Sequence, residues 1–353
     1  MKQRLSAFDD FHKKYFVINN YFLSFNSDEI FKFEPQNNTC SSKSRYYFEL
    51  KKIVNLPCPC CGRIMTTRDE MNDFVENIKM AKGQTLIEEL TKYEGRIKGI
   101  EKQVLKKVKI NAKKHPDKNL KELFKQMYRN SIQQLENSQQ KVIAKVMKLS
   151  DGLEGRTYIT VKKDIKTVNT LLQKRRNSQV FKRKTFITSF YKLIMEEENP
   201  RNKKILELIA QKAKGLPTSG NSTDAFIVKY HRRRIDEIAQ RLLDASLAST
   251  EHVNPRSCGG VNDPSNYLVQ CKYCNSERSS LEYKDWLKKH PEMKRNIQVH
   301  IDKVISLILN EQINGYDFYP LVIKYTLVKE SKGLLDINIE NIIDYLKYKY
   351  LAA

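Results

Sequence analysis

The sequence predicts a mainly α-helical protein that also contains one small unit of two short strands and a helix. Apolar residues recur at helical spacing through most of residues 68–215 and again in residues 291–353. Between these regions, a turn rich in Pro, Gly and Asn separates two short apolar segments. A length of 353 residues is enough for several domains with a sizeable buried core. We therefore divide the chain into segments 1–50, 51–67, 68–215, 216–290 and 291–353.

Composition narrows the class of protein and of partner. Lys and Arg number 64 against 41 Asp and Glu, a net charge of +23, and hydrophobic residues make up 40%. These values exclude a membrane protein and a wholly disordered chain. The charge favours a polyanion as binding partner, most simply nucleic acid. Charge alone does not distinguish DNA from RNA, and it does not distinguish a nucleic acid from an acidic protein. With no apolar run near ~18 residues and no secretory signal, we expect a cytoplasmic protein without membrane contact.

Residues 1–50 are rich in aromatic side chains set among polar residues. This mixture favours short strands or a small packed cap over a long helix. A platform on which bases stack is the alternative interpretation.

The seven cysteines are clustered, which in a reducing compartment indicates metal ligands before disulfides. Cys58 and Cys61 form a Cys-x-x-Cys-Gly knuckle, and Cys271 and Cys274 form a second pair. We predict that the four thiolates hold one structural zinc ion, with free buried cysteines as the alternative. The two pairs can meet only if the residues between them form a folded insertion whose ends return together. Cys60 is disfavoured as a ligand because its adjacency to Cys61 strains chelation.

Residues 68–215 are expected to form a helical hairpin that acts as an arm. A coiled-coil seam predicts one helix from Thr85 to Ala112, on the order of 40 Å long, and a second helix from about Leu120 to Val146. The sequence His115-Pro116-Asp117 interrupts the pattern between them. Residues 215–222 read as a linker, after which another helix is expected to carry His231-Arg232-Arg233-Arg234.

Several basic clusters are candidates for phosphate contact, with solvated helix faces as the equally supported alternative. They comprise Lys174, Arg175, Arg176, Lys182, Arg183, Lys184, Arg232, Arg233 and Arg234, together with the isolated Arg256.

Residues 249–278 carry the residues with the clearest chemistry. A short strand ends in Glu251 and His252, a turn containing Gly259-Gly260 reverses the chain, and a second strand covers residues 267–270. A helix is expected from Lys272 to about His290. Such a ββα unit is too small to bury much of a core and needs a metal ion to stabilise it.

This segment resembles the HNH nucleases, which have a ββα-metal fold with zinc knuckles. The resemblance rests on Glu-His, Pro-x-Ser-x-Gly-Gly, Asn-x-Leu, Cys-x-x-Cys-Asn and a following Arg, over about 30 residues. It implies that His252 is the general base and that Asn266 holds the loop that orients it. It also implies that Glu251 and Asn275 bind a catalytic Mg²⁺ or Mn²⁺. Glu251 stands where the family commonly has Asp, and Asn275 where it often has a final His.

The residue types suit phosphodiester hydrolysis independently of the resemblance. Imidazole can be neutral near pH 7, oxygen ligands suit Mg²⁺, and Arg256 or Arg278 is available to stabilise negative charge on phosphorus. We therefore expect a metal-dependent endonuclease, acting on DNA more readily than on RNA. A non-catalytic zinc-dependent nucleic-acid-binding module is the second hypothesis. A third is an antiphage-defence effector subunit that is active only with an ATPase or a second copy bound through the arm. The other histidines are expected at the surface or at helix ends, and residues 291–353 are expected to be helical.

Overall fold

The computed structural model describes residues 21–24, 32–35, 50–173, 183–261, 266–313, 317 and 319–351. In the aromatic-rich segment, the short strands β1 (Tyr21–Ser24) and β2 (Lys32–Pro35) pair antiparallel. The rest of that segment, with the alternative of a base-stacking platform, lies outside the described residues.

Helices dominate the described residues, as predicted. Along the chain they are α1 (Arg68–Met80), α2 (Gly83–Tyr93), α3 (Gly99–Lys114), α4 (Leu120–Ser150), α5 (Gly155–Gln173), α6 (Arg183–Glu196), α7 (Pro200–Ala213), α8 (Thr223–Tyr230) and α9 (Ile235–Leu243). After strands β3 (Ala248–His252) and β4 (Tyr267–Cys271) come α10 (Lys272–Arg278), α11 (Tyr283–Lys289), α12 (Met293–Leu309), α13 (Tyr319–Glu330) and α14 (Glu340–Leu351).

The chain divides into two compact units. Residues 1–76, 92–98 and 243–353 form one, here called the cysteine unit, and residues 77–91 and 99–242 form the other, the helical unit. Residues 216–242 therefore belong to the helical unit. The sequence predicts them in one segment with the ββα residues, whereas the structure places them in the other unit. The five-segment division otherwise stays a prediction.

The helical unit is built around buried faces of α4, α5, α6 and α7. Val146, Val161, Phe190 and Leu206 are among the residues that fill this core. Asn119 starts α4 with a reciprocal capping box to Glu122, which satisfies two backbone N–H groups at the helix start.

Three expectations about helix continuity are wrong, two at helices before β3 and one after β4. The predicted helix from Thr85 to Ala112 breaks at Glu94–Lys98, where a short 3-10 turn leads to Gly99 at φ +67°. The predicted helix carrying His231–Arg234 is two helices, because the His231 Nδ1 hydrogen-bonds the Val228 carbonyl at 2.8 Å and closes α8. The break at His115–Asp117 is confirmed, since α3 ends at Lys114.

In the cysteine unit, β3 and β4 pair antiparallel, from Ala248 opposite Cys271 to His252 opposite Tyr267. Helix α10 follows at once and contacts both strands. The third wrong expectation is here: the helix predicted from Lys272 to His290 ends at Arg278, and Ser279 takes φ +53° before α11 begins. The core of this unit extends through Trp286 and the apolar faces of α12, α13 and α14.

Candidate metal centre and the histidine on the adjoining hairpin

The first cysteine pair lies in a tight knuckle. Cys58 N–H donates to the Arg63 carbonyl at 2.7 Å, and Gly62 N–H donates to the Cys58 carbonyl at 2.8 Å. Gly62 takes φ +70°, and a Cβ there would lie 2.8 Å from the Asn296 Oδ1. Asn296 in turn donates to the Cys60 carbonyl at 2.8 Å. Glycine is therefore required both for the backbone turn and for the approach of α12.

The second pair lies where β4 meets α10. Cys271 is the last residue of β4, and Cys274 lies in the first turn of α10. The Cys271 N–H donates to the Cys58 Sγ at 3.4 Å, a contact that joins two residues 213 positions apart.

All four ligand sulfurs lie within 4.8 Å of one another, and the sulfurs of Cys61 and Cys271 are 3.9 Å apart. A tetrahedral zinc ion with bonds of ~2.3 Å needs sulfurs about 3.8 Å apart. The two pairs therefore meet as a possible metal site with a donor set and spacing compatible with structural zinc. Cys60 is buried but is not part of this cluster, and Cys258 is exposed.

The electrostatics of the thiols also fit a bound dication. Hydrogen bonding from Cys271 lowers the pKa of Cys61, whereas contact with Cys271 raises the pKa of Cys274. At this spacing, one ionised thiol makes ionisation of its neighbour less favourable, because two thiolates repel each other. A bound dication would stabilise all of the thiolates together.

Glu251 and His252 are neighbours on β3 but point to opposite faces of the hairpin, as successive strand residues do. Glu251 is 4% exposed and its Oε1 accepts from the Nε of Arg278 at 2.7 Å and from Nη2. The Arg278 side chain is 0% exposed and also donates to the carbonyls of Val253, Leu281 and His252. Burial raises the pKa of Glu251, and the Arg278 charge offsets that rise only in part.

This buried pair bears on two sequence-based expectations. A fully buried guanidinium does not reach a substrate phosphate, so in this arrangement Arg278 holds the hairpin and α10 together instead of stabilising charge on phosphorus. Glu251 is neutralised by a protein cation, and Asn275 uses its Nδ2 to donate to the Thr250 carbonyl at 3.0 Å and to Ser249 Oγ at 3.2 Å. Arranged in this way, the two residues lack the accessible anionic oxygen that a catalytic Mg²⁺ or Mn²⁺ needs, because Glu251 is buried against Arg278 and the amide oxygen of Asn275 is neutral.

His252, in contrast, is half-buried, on the face of the hairpin that also carries Tyr267. The two rings meet edge to face with centroids 4.8 Å apart. The exposed Arg256 donates its Nε to the His252 Nε2 at 3.2 Å. Of the two arginines named from the sequence, Arg256 is the one that lies at the surface beside this imidazole.

Asn266 fastens the loop between the strands. Its Oδ1 accepts from the Asn254 N–H at 2.7 Å, and its Nδ2 donates to the carbonyls of Asn254 and Val261, each at 2.9 Å. Within the same loop, a Cβ on Gly260 would lie 1.8 Å from the Asn254 carbonyl oxygen. These contacts are those that the predicted loop-holding role of Asn266 requires.

The predicted basic clusters are only partly described. Lys174, Arg175, Arg176 and Lys182 lie outside the described residues, and the side chains of Arg183 and Lys184 are also outside them. Arg232, Arg233 and Arg234 are exposed in the turn between α8 and α9, where Arg234 pairs with Asp236 at 2.5 Å. The expectation that these three arginines lie on a helix is therefore wrong.

One residue near the knuckle was missed from the sequence. His300, expected at a surface or a helix end, is 1% exposed on α12 and hydrogen-bonds the Pro57 carbonyl through Nδ1 at 2.7 Å. Burial lowers the pKa of His300 to about 4, so the ring is neutral at neutral pH. The signal was available in its spacing, since Ile297, Ile301 and Val304 place residue 300 near the apolar face of the helix.

Within the described part of the chain, every helix is too short or too polar to cross a membrane. No family model, curated protein or solved structure matches this chain.

Proposed function

We propose that this chain is an HNH-type endonuclease that hydrolyses phosphodiester bonds in nucleic acid, DNA more readily than RNA. The observation that carries the proposal is the position of His252. It lies half-exposed at the end of a hairpin whose other end is tied to the cysteine cluster, beside the exposed Arg256. An accessible imidazole next to a cation is the combination that activating water against a phosphate requires.

In the proposed reaction, His252 accepts a proton from water through Nε2 as the oxygen bonds to phosphorus. The opposite P–O bond breaks, and the leaving oxygen takes a proton from solvent. Because Arg256 donates to Nε2 in the structure, that nitrogen carries the lone pair. The proposal requires the phosphate to draw Arg256 away from His252, which frees the base and places the guanidinium on the developing negative charge.

The proposal gives a divalent cation no step, since the carboxylate of Glu251 is engaged with Arg278. Dependence on Mg²⁺ or Mn²⁺ stays a prediction from the resemblance. It is tested by running each assay with Mg²⁺, with Mn²⁺ and with EDTA.

The test is cleavage of supercoiled plasmid, single-stranded DNA and duplex RNA by the full chain and by His252→Ala. His290→Ala is the matched control, because His290 is a half-buried histidine that follows α11. We expect His252→Ala to lose at least 100-fold in rate and the control to cut like wild type. Equal rates for wild type and His252→Ala, whether high or zero, would refute the catalytic role.

The buried Glu251–Arg278 pair favours a second candidate, a non-catalytic zinc-dependent module that binds nucleic acid. It satisfies the carboxylate with a protein cation and so stabilises the hairpin without any substrate. This candidate predicts salt-dependent binding that His252→Ala leaves unchanged, with no cleavage product under any metal condition.

A further inference from the structure

The positive charge of the chain is concentrated in one unit. The helical unit contains 36 Lys and Arg against 16 Asp and Glu, a net charge of +20 of the total +23. The cysteine unit, which contains His252, has 28 against 25 and is close to neutral. Most of the charge available to bind phosphates along a nucleic acid therefore lies outside the unit that contains His252.

Helix α3 presents a regular basic face in the helical unit. Lys102, Lys106, Lys109 and Lys113 recur at intervals of four, three and four residues, and all four are exposed or half-buried. On a helix this spacing aligns them in one stripe about 16 Å long. We call this set the α3 lysine stripe.

The opposite side of α3 is buried, which fixes the direction that the stripe faces. Ile100, Val104, Leu105, Val108 and Ala112 are at most 6% exposed. The stripe is centred roughly 130° around the helix from these residues, at about 100° per residue. Packing of the apolar face therefore holds the lysines outward along the whole helix.

The acidic side chain of α3 pairs with a cation outside the stripe. The single acidic residue of the helix, Glu101, is buried and pairs with Arg241 at 2.6 Å. Lys107, which lies off the stripe, pairs with Asp224 at 2.8 Å. Glu101 and Asp224 are thus matched to cations that lie off the stripe.

We infer that the α3 lysine stripe binds the sugar–phosphate backbone of a nucleic-acid duplex, an inference that rests on the proposed function for the identity of the polyanion. A row of lysines offers point charges to phosphates without reading bases. Helix α3 contains no aromatic residue, and single-strand-binding surfaces rely on aromatic rings for stacking. The chemistry of the stripe therefore favours a duplex.

The test compares duplex binding by the full chain and by Lys102→Gln/Lys106→Gln/Lys113→Gln, both in a His252→Ala background so that the DNA stays intact. Lys288→Gln/Lys289→Gln/Lys294→Gln, at three exposed lysines of the cysteine unit, removes the same charge and is the matched control. The probe is a 30-bp DNA duplex titrated between about 50 and 200 mM NaCl. Gln preserves helix propensity, and circular dichroism checks folding.

Each lysine that contacts a phosphate contributes ~0.9 to the slope of log K against log salt. The stripe variant, which lacks three lysines, should lower the magnitude of that slope by about 2.7. Between about 50 and 200 mM NaCl, the affinity of the variant should therefore fall by a factor about 40 times smaller than the factor by which wild-type affinity falls. The control should keep the wild-type slope. An unchanged slope, an equal change in the control, or absence of duplex binding by wild type would overturn the inference.

Two further outcomes separate this inference from the proposed function. A stripe variant that loses affinity for poly-glutamate but not for duplex would also overturn it, and would assign the face to an acidic protein. A stripe-dependent slope together with no cleavage by wild type would refute the nuclease proposal alone. Cleavage with an unchanged slope would refute the stripe alone.

Discussion

Replacing Arg278 by methionine should destabilise the cysteine unit by about 4 kcal/mol. Arg278 and Glu251 are 0% and 4% exposed, and removing one partner of a buried ion pair costs about 3–5 kcal/mol because the other charge stays buried. Methionine fills a similar volume, so the loss reflects charge and hydrogen bonding more than a cavity. The carbonyls of Val253 and Leu281, which accept from Arg278 at 3.0 and 3.2 Å, also lose their donor.

A double-mutant cycle separates the pair from these other contacts. Glu251→Gln alone leaves the guanidinium without a counter-charge and should also destabilise the unit. The double variant Glu251→Gln/Arg278→Met buries no net charge, so it should be less destabilised than the sum of the two single variants, by about 1–3 kcal/mol.

The assay is urea unfolding of the zinc-loaded chain followed by tryptophan fluorescence. The sequence has one tryptophan, Trp286, which is 3% exposed in the core of the cysteine unit, so the signal reports on this unit. A loss below about 1 kcal/mol for Arg278→Met, or strictly additive single variants, would refute the view that this pair holds the hairpin to α10.

Two further predictions concern the loop and the knuckle, and the same fluorescence assay measures both. Gly260→Ala should lower the free energy of unfolding by about 3 kcal/mol, because its Cβ would lie 1.8 Å from the Asn254 carbonyl oxygen. Gly259→Ala should lower it by only about 1 kcal/mol, because Gly259 takes φ +86° but its Cβ would enter open space. Equal losses for the two variants would contradict this prediction. Because burial lowers the pKa of His300 from the ordinary histidine value of 6.5 to about 4, the unfolded state binds the extra proton below pH 6.5. Wild type should therefore lose about 2 kcal/mol more than His300→Asn between pH 7 and pH 5, and parallel losses would show that the ring is not buried neutral.

The sequence sufficed for features whose chemistry restricts the choice of residue. Two Cys-x-x-Cys pairs, one followed by Gly, have the spacing of zinc ligands, so the meeting of Cys58, Cys61, Cys271 and Cys274 was predictable across 210 positions. The strands β3 and β4 were predictable for the same reason, because the Gly-Gly turn between two short apolar segments allows little else.

The features that could not be predicted depend on tertiary contacts. The apolar spacing that predicts one continuous helix runs through Glu94–Lys98. In the structure, residues 92–98 belong to the cysteine unit while the residues on both sides belong to the helical unit, and the helix breaks there. Residue type alone does not determine which cation faces a buried carboxylate, so the resemblance assigns Glu251 to a metal ion, whereas Arg278 reaches it from 27 positions away. Helix ends at His231 and Ser279 likewise depend on side-chain and backbone contacts that periodicity does not record.

The central claim is that four thiolates from the two pairs bind one zinc ion and thereby hold the hairpin that carries His252. Its most direct test is metal analysis of the purified full chain, with Cys274→Ser and, as a control, Cys60→Ser. We expect about one zinc per chain in wild type and in Cys60→Ser, and a loss of most of it in Cys274→Ser. Full zinc content in Cys274→Ser, or its loss in Cys60→Ser with wild-type folding, would contradict the account.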